Sequence, residues 1–223
     1  MTSLWKQLVI VFLLILAAPD LLLADQATSD EKTTVDTEKV QREKLMQAKN
    51  LIASRNSTEA ISLIDQTLEY YRTIYPDGKT RWYVARTPEE TFYYMTSSAI
   101  LPDSTSDKKD AATLYVAWAE AYFLKGYAYV ELGQINEAKA ALEQALYLTP
   151  QNANYMIELA EVSKLERDWG EAYRLYTQAE EATRFSPLDE KASDLSHAKR
   201  GQAFVFIEQG KLNEAEKILK QCL

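Results

Sequence analysis

Residues 119–152 read AEAYFLKGYAYVELGQINEAKAALEQALYLTPQN, and the fold turns on this stretch. Tyr122, Gly126 and Tyr129 follow one another at spacings of four and three, and Ala138, Leu142 and Ala145 do the same further on. Such spacing places side chains on one face of a helix, so the stretch predicts two helices packed together. Gly126, Ala138 and Ala145 are small enough for close approach, while Tyr122, Tyr129 and Leu142 fill the space between. A bulky group at Ala138 is expected to overpack the pair at a cost of ~1–3 kcal/mol. Pro150 ends the second helix, because proline lacks the N–H that a continuing helix needs.

The pattern returns along the chain. Shifted by 34 residues, the offsets of Gly126, Tyr129, Gly133, Ala138, Leu142, Ala145 and Pro150 become Ala160, Ser163, Arg167, Ala172, Tyr176, Ala179 and Arg184. The small and large apolar positions mostly persist there, while Gly133 and Pro150 have no counterpart. Ala203, Phe206, Gly210, Ala215, Leu219 and Cys222 repeat the offsets again, and Ala48, Leu51, Ala60 and Ile64 fit an earlier copy. In that earlier copy, Leu45, Ala48, Leu51 and Ile52 predict one helix and Ile61, Ile64 and Leu68 a second, antiparallel to it. Asn56-Ser57-Thr58 lies between them and offers N-cap side chains; it is formally a glycosylation sequon as well. A period in this range means a solenoid.

With Tyr122-x3-Gly126-x2-Tyr129, Ala138-x3-Leu142 and Pro150 in place, the chain resembles the tetratricopeptide repeat family, departing from it at Lys125, where a leucine is usual. The resemblance implies an all-α superhelix of about four helix pairs, at 41–74, 119–152, 153–186 and 196–223, and a role in binding proteins. A bacterial, exported member of the family is expected. It also implies that the first helix of each pair lines a concave groove. Its groove offsets fall on Glu120, Phe123, Tyr127, Val130 and Glu131, then on Asn154, Ile157, Glu161, Lys164 and Leu165. In the last unit they fall on His197, Arg200, Phe204, Ile207 and Glu208. Aromatic anchors beside Lys164 and Arg200 suit an extended or helical peptide. Phe123 and Phe204 either serve that groove or pack against the larger insertion, residues 75–118, or the leader.

Residues 75–118 and 187–195 interrupt the period. The larger insertion carries Trp82, Tyr83, Phe92, Tyr93, Tyr94, Tyr115 and Trp118, which are either core joining the first unit to the rest or a projecting aromatic surface. Thr87-Pro88-Glu89-Glu90 is a helix start: Thr87 is the N-cap, Pro88 is in the first turn and Glu90 closes a capping box. A helix over 88–100, a loop over 101–107 and one long helix over 108–132 are predicted.

Apolar residues make up 47% of the 223 and charged residues 26%, enough for a sizeable core in a soluble chain. Six Gly and six Pro are too few for a turn-rich β architecture. The net charge of −8 disfavours nucleic acid, whose phosphates demand Lys and Arg, and equally disfavours anionic lipid. Lys6 followed by the apolar run Leu8 to Ala18 reads as a signal peptide, with cleavage after Leu22-Leu23-Ala24. Eleven residues of helix reach roughly 16 Å, short of a ~30 Å bilayer core. A periplasmic or secreted protein is expected, the alternative being an anchor left uncleaved. Residues 25–40 are polar and read as a flexible leader.

Cofactor and metal sites are not expected. One His, His197, and one Cys, Cys222, cannot supply a histidine- or thiolate-rich zinc site. Gly78-Lys79-Thr80 looks like the tail of a phosphate loop, but Thr73 stands where its first glycine belongs; Pro76-Asp77-Gly78 is a turn. No nucleophile-elbow sequence surrounds any Ser, and the carboxylates are spread along helical faces. Cys222 either packs as a small apolar residue or pairs between chains. The last helix pair is short and without a polar cap, so Ile218, Leu219 and Leu223 are candidates for self-association. The leading reading is a non-enzymatic scaffold that holds a protein or peptide. A self-assembling subunit, or an enzyme with its site in the aromatic insertion, are the alternatives.

Overall fold

A computed structural model describes residues 37–76, 78, 80–100 and 110–221, without the side chains of residues 99 and 100. The expected signal peptide, residues 25–36 of the leader, the 101–107 loop, Asp77 and Lys79 of the turn, Cys222 and Leu223 lie outside the described residues. By compactness the chain divides after Arg42. Residues 37–42 are helical, so the polar leader expected to reach residue 40 ends earlier. The rest of the architecture belongs to Glu43–Leu223.

Helices dominate that unit. After α1 (43–53) come α2 (Ser57–Ile74), β1 (Thr80–Val84), α3 (Pro88–Ile100) and β2 (Asp110–Leu114). There follow α4 (Trp118–Glu131), α5 (Ile135–Leu148), α6 (Ala153–Leu165) and α7 (Trp169–Ala182). A single 3-10 turn (Thr183–Phe185) leads to α8 (Lys191–Glu208) and α9 (Leu212–Leu219). Neighbours in sequence pack in series from α4 to α9, and α2 packs directly on α4 across the intervening insertion. The result is an all-α superhelix of stacked hairpins, with one small two-stranded sheet added.

The close approach rests on the small residues. Ala48, Ala60, Ala128, Ala138, Ala145, Ala160, Ala172, Ala179, Ala198 and Ala203 are wholly buried. A Cβ on Gly126 would stand 2.7 Å from Leu142 Cγ, so α4 and α5 meet at a point where only glycine fits undisturbed. Each hairpin turn is built alike. Arg55, Gly133, Arg167 and Gly210 occupy the same repeat offset and all have positive φ, of 62°, 71°, 59° and 74°. Around Gly133, its N–H donates to the Val130 carbonyl and that of Gln134 to Tyr129. The same pair of bonds recurs at Arg55, Arg167 and Gly210, closing each first helix by a Schellman motif.

Helix starts vary more. Asn152 accepts from the Tyr155 N–H at 3.2 Å and Asp168 from that of Glu171 at 3.0 Å, both as N-caps. Asn56, expected to cap α2, makes no such side-chain bond; Ser57 instead donates to Glu131, at the end of α4, at 2.6 Å. The long helix expected over 108–132 is a second correction. Residues 110–114 form β2, paired in parallel register with β1 from Thr80 opposite Asp110 to Val84 opposite Leu114. Helix α3 is the crossover that parallel strands require.

The insertion's aromatics divide. Trp118 and Tyr94 are buried, and Trp118 stacks on Tyr71 and Tyr75, with Trp82 tilted on Tyr75 at 5.1 Å. Tyr83 stacks on Tyr94 at 5.0 Å, and Tyr93 meets Phe185 at 4.7 Å, joining α3 to the end of the third hairpin. Phe92 and Tyr115 project, at 72% and 55% exposure. Two of the set are thus core, Trp82, Tyr83 and Tyr93 are half-buried against neighbouring rings, and the other two are surface.

Candidate functional site

A pocket of about 670 Å³ opens where α1, α4 and α6 run side by side. The first helix of each of three hairpins contributes one face: Lys49, Ile52 and Ala53 from α1, Glu120 to Glu131 from α4, and Asn154 to Glu158 from α6. Its floor is aromatic. Phe123 stacks on Tyr155 at 4.3 Å with 17° between ring planes, and Tyr127 stands edge-on to Phe123 at 5.2 Å.

Its rim is charged. Glu120, Glu131, Glu158 and Glu190 face Lys49 and Arg86. Arg86 lies just before α3 and is held by Glu90, which is fully buried, at 2.6 Å, and by Glu190 at 3.6 Å. Burial pulls its proton affinity down, but the hydrogen bond and charge of Glu90 more than offset this and leave it raised. Burial pushes the Glu158 carboxyl above the usual range; Glu161 adds to this, and the hydrogen bond from Tyr127 partly opposes it. Burial, then the Glu158 charge, likewise raise the Tyr127 phenol. Glu190 is raised by burial, with Arg86 opposing.

A second cluster continues the surface toward α8. Tyr127, Val130, Glu161 and Leu165 line a small cleft of about 60 Å³. Lys164 pairs with Glu161 at 2.6 Å and lies over the Phe204 ring at 4.2 Å. Glu161 also accepts from the Tyr176 hydroxyl and lies 3.8 Å from His197.

The groove residues expected from the sequence therefore separate into groups. Glu120, Phe123, Tyr127, Glu131 and Asn154 share the main pocket. Glu161, Lys164 and Phe204 share the second cluster with His197, while Arg200 is exposed and bonded to Ser196. Ile207 and Glu208 are exposed near the end of α8. Ile157 is a correction: at 0% exposure it belongs to the core with Leu142, Ala172 and Tyr176. Its side chain packs toward α7, although Lys164, about 20° from it on the helix, joins the second cluster. At about 100° per residue, 154, 158, 161 and 165 share one face. That same period would have found Glu158. Arg86 and Glu190 arrive from the two interruptions of the repeat and carry no local signal.

With this geometry in hand, comparison with known proteins agrees on the fold. A tetratricopeptide repeat model matches residues 119–152. Two crystal structures of the nearly identical TPR-like repeats of a protein described as a kinesin light chain, from Podosopora anserina, superpose with a TM-score of 0.53 each. Each is 17% identical, covering 83% of this chain and 74% of the other, and one is a single-residue variant. A comparison with curated proteins found no match.

Proposed function

We propose that the protein is a binding module that holds a segment of another protein along the first helices of its hairpins. One observation carries this reading: α1, α4 and α6 present a concave pocket whose half-exposed aromatics, Phe123 and Tyr127, are fixed in place by Tyr155 and Glu158. Rigid aromatic anchors in a preformed hollow lose little entropy on binding and are the usual centres of binding energy. The second cluster lengthens the surface, with Phe204 as a further anchor under Lys164. A segment spanning both would contact four successive hairpins.

The apolar run at Leu8 to Ala18 supports export, so the partner is sought in the cell envelope or outside the cell. Among the described residues no helix is long and apolar enough to cross a membrane. Fractionation of cells expressing the tagged chain tests the location. The binding role is tested by affinity capture from envelope extracts followed by titration of the recovered partner. Tyr127→Ala and Phe204→Ala should each weaken it by roughly 2 kcal/mol. Unchanged affinity in variants that fold normally would remove this surface.

Self-association is the second reading, favoured by exposed Leu212 and Leu219 on α9. Sedimentation at several concentrations separates it from the first: a strict monomer at every concentration excludes it.

A further inference from the structure

The pocket has a chemistry more specific than protein binding in general. Four carboxylates and two cations line it. Of the cations, Arg86 is already answered by buried Glu90 and by Glu190, so its charge faces little of the cavity uncompensated. Glu131 accepts from Ser57 and Glu158 from Tyr127, but both are neutral hydroxyl donors that leave the negative charge in place. Glu120 makes no hydrogen bond or ion pair among the described residues, although it stands one helical turn from Phe123. Among the described residues, Lys49 is the pocket's one other cation, against Glu120, Glu131 and Glu158, so the rim around the aromatic floor stays negative.

We infer that this pocket takes the side chain of an arginine or lysine from the bound segment, its aliphatic stem on Phe123 and Tyr127 and its charged head among Glu120, Glu158 and Glu131. This rests on the protein-binding reading and narrows it to a partner of basic character. The complementarity is twofold. Ring faces attract a cation that approaches them, and long basic side chains lay their methylenes on apolar surface while the head stays polar. An acidic segment would meet Glu120, Glu131 and Glu158, which pair with no cation among the described residues, and leave them so in a partly desolvated site, which costs affinity. The volume lies within the ~300–1,000 Å³ of ordinary ligand sites, enough for one such side chain and adjoining backbone.

The test is a selection from a random twelve-residue peptide library displayed on phage, against the immobilised full chain. Peptides sharing an Arg or Lys at one position are expected. The best of them is then resynthesised with citrulline in place of Arg, or norleucine in place of Lys, and titrated by fluorescence polarisation. Removing the charge should weaken binding at least tenfold, and Glu120→Gln should produce a similar loss. The two changes together should cost little more than either alone. Glu120 is exposed, so the variant's thermal unfolding should match the parent's. Selected peptides without a basic residue, or equal affinity for the neutral analogue, overturn the inference and leave the protein-binding reading standing. A selection that recovers nothing counts against both.

Discussion

Gly201 of α8 lies directly beneath the ring of Tyr176 on α7, so closely that a methyl built at 201 would overlap three carbons of that ring. Tyr176 cannot easily yield, since it is fully buried and its hydroxyl is tied to Glu161. Gly201→Ala should therefore cost ~1–3 kcal/mol by overpacking. Gly126→Ala is the internal comparison. There the new methyl would stand 2.7 Å from Leu142 Cγ, a lesser overlap than with the Tyr176 ring, so the cost should be smaller. Urea unfolding of both variants checks the order; a Gly201→Ala variant as stable as the parent removes the close packing of α7 on α8.

The shared turn makes a second prediction. Arg167 takes a left-handed conformation that glycine adopts freely at Gly133 and Gly210. Its side chain is exposed and makes no hydrogen bond or ion pair among the described residues, so shortening it loses little. Arg167→Gly should stabilise the fold by about 0.5–1 kcal/mol, the relief of a strained φ less the added freedom of the unfolded chain. Gly133→Ala should destabilise it by a similar amount. If Arg167→Gly lowers the unfolding midpoint, the Arg167 turn is not strained.

Glu158 ties stability to binding. Burial holds its carboxyl above the usual range, so the folded chain keeps this proton more tightly than the unfolded one. Through the window between the ordinary carboxylate value and the raised one, its contribution to stability falls as pH rises. Glu158→Gln abolishes that penalty and keeps an oxygen to accept from Tyr127. The variant should gain little at acid pH, gain progressively as pH rises, and level off once the pH has passed the raised value. An equal margin at pH 4 and pH 8 would sink the assignment. A site that is less stable because it is charged is what a pocket for cations requires.

The limits of sequence reasoning here are physical ones. The helical period and the alternation of alanine with larger apolar residues carried the hairpins, because close-packed helices leave room for little else at Ala138, Ala160 and Ala172. Strand β2 was hidden, since Ala111, Ala112 and Leu114 are helix formers by intrinsic preference. They are extended because Trp82 to Val84 offer a ladder, a partner many residues away. Arg167 concealed the turn that Gly133 advertises. Within the pocket, the residues of α4 followed from their spacing, as Glu158 of α6 could have. Arg86 and Glu190 did not, since they enter from segments outside the repeat.

That outside contribution leads to the last prediction. Glu90 is fully buried and its carboxylate binds both the guanidinium and the backbone N–H of Arg86, at 2.6 and 2.7 Å. The Thr87 cap donated to by the Glu90 N–H at 3.2 Å fixes where that carboxylate sits, so the helix start and the ion pair are one device. Removing Arg86 strands a charge in the interior. Arg86→Met should cost about 3–5 kcal/mol, whereas removing both charges in Arg86→Met/Glu90→Gln should recover a large share of that loss. The cycle is completed by Glu90→Gln alone, and a coupling of at least 1 kcal/mol is expected for groups in such contact. Additive effects would mean that the two residues do not act together, and that the wall they form beside the pocket is held by α3 packing alone.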